Sequence, residues 1–156
     1  IELLGKANQI LIIGVGTSEP IVKTAYNMFM RLGLNCRAQS DSYLQLMEVA
    51  LLTPGDVVLG ISQSGSSVDP ILTLEQAKQN GVSTICIPGN TQSPLTKYAD
   101  VVLLSVAREA RAETIASRLA QSTIIDALYV IMALNSMETA NQNEKHIWDA
   151  LLPKML

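Results

Sequence analysis

Gln9-Ile10-Leu11-Ile12-Ile13-Gly14-Val15-Gly16-Thr17-Ser18-Glu19-Pro20 is the stretch whose reading decides the fold. Its first half is a short, almost continuous apolar run, the pattern of a strand buried on both faces; a half-exposed strand would alternate. Its second half breaks on glycine and hydroxyl residues and ends in a proline suited to the first turn of a helix. Beyond it Ile21, Val22, Ala25, Met28, Phe29 and Leu32 recur at helical spacing, and Gly33 stands where a C-terminal cap belongs.

The same alternation continues along the chain. Residues 34–39 read as a weaker second strand and 43–52 as a helix ended by Pro54-Gly55. Residues 56–61 form a third strand, 70–79 a helix stopped by Gly81, and 82–87 a fourth strand. A turn at Pro88-Gly89-Asn90 leads to a short helical stretch at 94–98, and 100–104 read as a fifth strand. A long helix follows over 113–135, and a last short one over 144–152. Five apolar strands joined through helices imply right-handed crossovers, hence a parallel sheet with helices on both faces. The expected fold is a three-layer α/β/α sandwich with a five-stranded parallel sheet in the flavodoxin-like order 2-1-3-4-5.

Composition agrees with one domain. The chain has 156 residues, 48% of them hydrophobic and 16% charged, enough to build a core without a metal or disulfide staple. Eleven Lys and Arg against fourteen Asp and Glu give a net charge of −3, which argues against tracking a nucleic-acid backbone. Aromatics at 4% leave little for base-stacking platforms. Cys36, Cys86 and His146 are too few for a four-ligand zinc site, so no metal is expected, and the thiols read as reduced and buried. The apolar run at 127–134 is too short to suggest a membrane span, and no signal peptide opens the chain. A cytoplasmic protein without a membrane partner is expected. The chain opens at Ile1 rather than Met, which suggests an excised portion of a longer protein.

In doubly wound sheets, ligands bind beyond the carboxyl ends of the strands where the order reverses, here between strands 1 and 3. The two segments at that point are Gly14-Val15-Gly16-Thr17-Ser18-Glu19-Pro20 and Ser62-Gln63-Ser64-Gly65-Ser66-Ser67. Both are dense in small and hydroxyl residues and contain no Lys or Arg. Such loops suit a phosphate: glycines admit close backbone approach, successive N–H groups line a concavity, and each loop opens a helix with unpaired donors. Ser, Thr and Asp are also favoured simply as helix caps, so one such loop alone would say little. Two loops facing one switch point say more. A P-loop would require a Lys that neither segment has. A dinucleotide fingerprint would require a third glycine where Glu19 stands, so no nucleotide cofactor is expected.

Gly16-Thr17-Ser18 and Ser62-Gln63-Ser64-Gly65-Ser66-Ser67 resemble the two motifs of the SIS (sugar isomerase) domain. Ala77-Lys78-Gln79-Asn80-Gly81-Val82 and Ser93-Pro94-Leu95-Thr96-Lys97-Tyr98-Ala99-Asp100 follow in the family's order, and the likeness runs from about residue 5 to 135. The resemblance implies a homodimeric or larger phosphosugar-binding domain. It implies that Ser62, Gln63, Ser64 and Ser67 hold the phosphate, in a ligand set that also includes Gly16, Thr17, Gly65, Ser66 and Glu113, while Ser18 helps with phosphate or sugar hydroxyls. The family's amino-sugar synthases carry Glu-Thr after the motif glycine; Ser66-Ser67 here keeps the hydroxyl and lacks the acid. Ala116-Ser117-Arg118-Leu119-Ala120-Gln121 and Ile125-Asp126-Ala127-Leu128 further resemble the effector domain of RpiR-type bacterial transcription regulators. That likeness implies a DNA-binding helix-turn-helix domain ahead of residue 1 and a ligand that is a phosphorylated sugar or sugar acid. No helix-turn-helix pattern occurs within the 156 residues, which read as a single SIS domain.

An aldose–ketose isomerase needs a base at C1 and C2 of its substrate. Glu113, Glu19 and His146 are the candidates, Glu113 foremost, with Arg108, Arg111 and Arg118 as cations that could meet it or the phosphate. The scarcity of paired acids and bases favours a sensor over an isomerase, the alternative reading. Residues 124–134 are apolar nearly all round their helix, which points either to a homodimer interface or to shelter under the last helix and Trp148.

Overall fold

The computed structural model describes residues 1–107 and 115–155. Its elements are α1 (Glu2–Lys6), β1 (Ile10–Ile13), α2 (Glu19–Arg31), β2 (Cys36–Gln39), α3 (Ser42–Val49), β3 (Val57–Ser62), α4 (Val68–Gln79), β4 (Ser83–Pro88), β5 (Val101–Val102), α5 (Ile115–Asn135) and α6 (Met137–Leu151). Short 3-10 turns at Gly16–Ser18, Pro94–Tyr98 and Leu152–Lys154 complete it. The five strands form one parallel sheet in the order β2-β1-β3-β4-β5, as expected from the alternation.

Every residue of β1 and β3 is buried, which is why their sequences are nearly unbroken apolar runs. Successive side chains alternate across the sheet. Ile10, Ile12, Leu59, Ile61 and Ile87 face one layer, where Val22, Ala25 and Phe29 of α2 and Ile125, Leu128 and Met132 of α5 meet them. Leu11, Ile13, Val58 and Cys86 face the other, against Val49 of α3 and Leu74 and Ala77 of α4. Each large apolar side chain taken fully out of water adds roughly 1.5–3 kcal/mol to this packing.

Four details depart from the sequence expectation. The first helix, α1, was not anticipated; it places fully buried Leu4 under the amino ends of the strands. Only Val101–Val102 pair as β5, although Leu103 and Ser105 still donate their N–H groups to the Cys86 and Pro88 carbonyls at 2.9 Å. The last helix starts at Met137, seven residues before the expected start at 144. Cys36 is only half-buried, whereas Cys86 is buried and its thiol is pushed up to about 12 by that burial. By length and composition α5 is apolar enough to cross a membrane, but Ile125, Leu128 and Met132 on it pack into the sheet core.

Candidate ligand-binding site

Because β1 and β3 are parallel neighbours, with Ile13 opposite Gly60, the chains leaving their carboxyl ends emerge side by side. Gly14 lies so close to β3 that a Cβ there would sit 2.8 Å from the Ile61 carbonyl oxygen and 2.8 Å from Val22 Cγ2. Residues 16–18 then make one 3-10 turn, in which Gly16 and Thr17 are exposed and Ser18 is buried. Ser18 is the N-cap residue of α2, yet its side chain makes no capping bond. Ser67 occupies the same position before α4 and likewise leaves the helix uncapped. N-cap serines ordinarily spend their oxygen on the N2 or N3 amide. α2 and α4 thus begin beside the carboxyl ends of β1 and β3, from opposite faces of the sheet, each behind a serine whose hydroxyl makes no capping bond.

The segment between the two serines of the second loop is shaped from behind. The Gly89 N–H donates to the Gln63 carbonyl at 2.9 Å, and the Leu95 N–H donates to the Gly65 carbonyl at 3.0 Å. In a trans peptide N–H and C=O point in opposite directions, so these two bonds turn the Ser64 and Ser66 amides away from residues 89–95. The Ser66 amide donates to Ser64 Oγ at 3.2 Å, and the Gly65 amide to Ser62 Oγ at 3.2 Å. The Ser64 amide has no partner among the described residues. Ser64 and Ser66 are exposed, Ser62 and Gly65 buried, and Gln63 and Ser67 half-buried.

The side chain of Gln63 goes elsewhere: its Nε2 donates to Ser117 Oγ of α5 at 3.3 Å. One turn further along α5, buried Gln121 donates from Nε2 to the Ile87 carbonyl at 3.3 Å, and its Oε1 has no partner among the described residues. The Gln63 side-chain amide thus ties the loop to α5, and its carbonyl ties the loop to residue 89. On the other side, fully buried Gln45 of α3 donates to the Gln39 carbonyl at 3.1 Å and the Gly14 carbonyl at 3.4 Å, and its Oε1 lies 3.5 Å from Thr73 Oγ1 of α4. Sequence reasoning passed over Gln45, and it quoted Ser93 and Gln121 only within family-like stretches, with no role of their own. Gln45 had a readable signal, since it shares the helical stripe of Val49 and Leu52, which are both buried.

The charged candidates separate. Glu19 pairs with Lys23 at 2.7 Å, and that hydrogen bond and charge, with help from Ser40, hold its carboxyl below the usual range. An acid so stabilised as the anion is a poor general base. His146 is exposed on α6, near Asn143 and Glu144; Glu144 pairs with Arg31 at the carboxyl end of α2, toward the amino ends of the strands and away from the loops. Arg118 is exposed on α5. Glu113, Arg108 and Arg111 lie outside the described residues. Among the described residues no three His, Cys, Asp or Glu side chains come together as a metal site requires.

Over 140 residues the chain is 36% identical to the HTH-type transcriptional regulator RpiR of Escherichia coli K12, an alignment covering 88% of this chain and 47% of that protein. It spans about half the length of the curated relatives it matches. Among solved structures, the Vibrio vulnificus NanR protein complexed with ManNAc-6P superposes with a TM-score of 0.92 at 21% identity, over 99% of this chain and 59% of that one. The sugar isomerase domain of the RpiR transcription factor from Sphaerobacter thermophilus gives 0.86 at 20%, over 94% and 81%. At those identities the likeness establishes the fold. The parallel sheet in 2-1-3-4-5 order with two serine loops at its switch point agrees with the family match over residues 3–131, and the chain belongs to the SIS domain family.

Proposed function

We propose that this chain is a non-catalytic, phosphosugar-binding SIS domain, the effector-sensing and dimerisation module of a cytoplasmic RpiR-type regulator of carbohydrate metabolism. DNA would be bound by a separate helix-turn-helix domain. The observation that carries the reading is the pair of N-cap serines, Ser18 and Ser67, whose hydroxyls cap neither of the helices they precede. With the Ser64 amide and the hydroxyls of Ser62, Ser64 and Thr17 they would supply neutral donors at the carboxyl ends of β1 and β3, where α2 and α4 begin on opposite faces of the sheet. Such a cradle of donors holds a phosphate dianion by aligned dipoles. The identity of the regulator relative supports the transcriptional role.

Sensing requires that the ligand bind two arrangements of the protein with different affinities. Gln63 offers the link, because the residue that shapes the cradle also touches α5. The outer side of α5 exposes Val130, Ile131 and Leu134, and α6 buries none of its residues while exposing Trp148 and Leu151. That side is the proposed dimer face.

Calorimetry with a panel of sugar and sugar-acid phosphates tests the site. Ser64→Ala is expected to weaken binding by ~1.5–3 kcal/mol, the range for a hydrogen bond to a charged group. Unchanged affinity would remove the loop from the site. Proton exchange at C2 of the same compounds, followed by NMR, is expected to be absent. Exchange that disappears in Glu113→Gln would make the domain an isomerase instead.

A further inference from the structure

Gln45 is the side chain that the core has least reason to hold. It is 0% exposed, and long amide side chains are seldom taken out of water entirely. It stands on α3 one turn before Val49, on the flank that meets the apolar layer of Leu11, Ile13 and Leu74. A methionine of the same length would fill that space without burying a polar group, so what distinguishes glutamine there is the set of atoms it bonds. Its Nε2 donates to the Gln39 carbonyl at 3.1 Å and to the Gly14 carbonyl at 3.4 Å. Both carbonyls lie at the carboxyl ends of neighbouring strands, since Ile13 stands opposite Gln39. Its Oε1 lies 3.5 Å from Thr73 Oγ1, and Thr73 in turn donates to the Asp69 carbonyl in the first turn of α4 at 2.9 Å. One side chain therefore reaches the end of β2, the entry to the first loop and the start of α4.

We propose that Gln45 is the positioning residue of the first loop, holding the Gly14 carbonyl on the β2 side so that the Val15 amide is presented to the anion. The inference rests on the reading of the two loops as a phosphate site. β1 lies between β2 and β3, and the bond to Gln45 draws the Gly14 carbonyl toward the end of β2. N–H and C=O point in opposite directions across a trans peptide, so the Val15 N–H is turned toward β3 and the second loop. That amide has no partner among the described residues. The Ser64 amide is in the same state on the second loop, where backbone bonds from residues 89 and 95 set the orientation. On the first loop a side chain does that work. Gly14 is pressed against Ile61 and Val22, which fixes the place of its Cα and leaves the direction of its carbonyl to Gln45.

Amide hydrogen exchange and a sulfate titration, both followed by NMR on the intact chain, test the assignment. Sulfate is the probe because it stays a tetrahedral dianion across the pH range used. Gln45→Met keeps the length and removes the donors. Exchange at Val15 and Gly16 is expected to quicken while Ser64 and Ser66 are unchanged. Sulfate is expected to bind about tenfold more weakly, the loss of one hydrogen bond to a charged group. Gln45→Glu adds a pH profile, which a packing role would not produce. Ionised, the new carboxylate has no hydrogen to give and faces two carbonyl oxygens; protonated, it donates one. The charged side chains on the surrounding elements are Glu19 and Lys23 of α2, Arg37 of β2, Asp41 and Glu48 at the start and on the length of α3, and Asp69 of α4. Burial and this excess of carboxylates favour the protonated form well above the ordinary glutamate value of ~4.3. Relative to wild type, whose scan removes the titration of the other groups, sulfate affinity of this variant should rise as pH falls from about 8 to about 5. Should Gln45→Met fail to fold by circular dichroism, the pH profile of Gln45→Glu decides alone. Wild-type affinity and exchange in Gln45→Met, or a flat relative profile in Gln45→Glu, would overturn the proposal. A wild type that binds no sulfate would instead count against the phosphate reading, and the exchange rates would still decide the place of Gln45.

Discussion

Gly65 is the residue on which the second loop turns. Its φ is +60°, and a Cβ built there would lie 2.3 Å from Ser93 Oγ and 2.4 Å from Ser93 Cβ. The second distance means that rotating the serine cannot relieve the clash. Gly65→Ala is expected to destabilise the fold by about 1–3 kcal/mol from the left-handed backbone alone, with a further cost from Ser93, and to abolish phosphosugar binding. Urea unfolding measures the first and calorimetry the second. Ser93→Gly in the same chain should restore only the part due to the clash; full recovery would show that the backbone tolerates alanine. Ser93 Oγ is itself buried with no hydrogen-bond partner among the described residues, and the side chain fits closely against Gly65. At this scale the sequence showed which residues form the loops, because glycine and serine are what a tight polar turn needs. It did not show that the Gln63 amide reaches Ser117, since that contact joins residues 54 positions apart.

Among the elements, β5 is held in part by charge. Asp100 precedes it and receives the Thr84 amide at 2.8 Å and the Thr84 hydroxyl at 3.0 Å, while Lys78 of α4 pairs with its other oxygen. Partial burial raises the Asp100 carboxyl, but the Lys78 and Thr84 hydrogen bonds outweigh that, and its pKa stands below the usual value. A depressed pKa means that the unfolded chain takes up the proton first as the solution is acidified. The contribution is therefore complete above about pH 3.9, the unfolded value, and is lost as pH falls through the lower folded one. The wild-type advantage over Asp100→Asn in urea midpoint should be constant from pH 7 to about pH 5 and shrink toward pH 3. A gap independent of pH would mean that geometry rather than charge ties β5 to β4. The five strands and their order were legible because fully buried parallel strands are written as apolar runs. The five-residue α1 was not, because so short a helix has no periodicity and depends on the burial of Leu4. The early start of α6 was hidden for a related reason: no residue of that helix is buried, so no core-facing stripe marks where it begins.

For the molecule as a whole, the question is how an acidic chain of net charge −3 retains a dianion. In the proposed site the answer is local: amides and hydroxyls act at hydrogen-bond distance, while the mean field of the protein opposes entry. A ligand at a hundredfold its Kd stabilises the folded state by about 2.7 kcal/mol. For a domain of this size that corresponds to a rise in Tm of roughly 5–10 °C. Salt discriminates the source of that grip, because attraction between exposed charges is screened over about 10 Å at 0.1 M and about 3 Å at 1 M. Neutral donors are little affected. The Tm shift produced by the cognate phosphosugar should therefore persist at 0.5 M salt and be absent in Gly65→Ala. A shift that collapsed with salt would transfer the anion to cationic side chains, for which Arg108, Arg111 and Arg118 are the candidates in the sequence, and would leave the serine loops a structural role only.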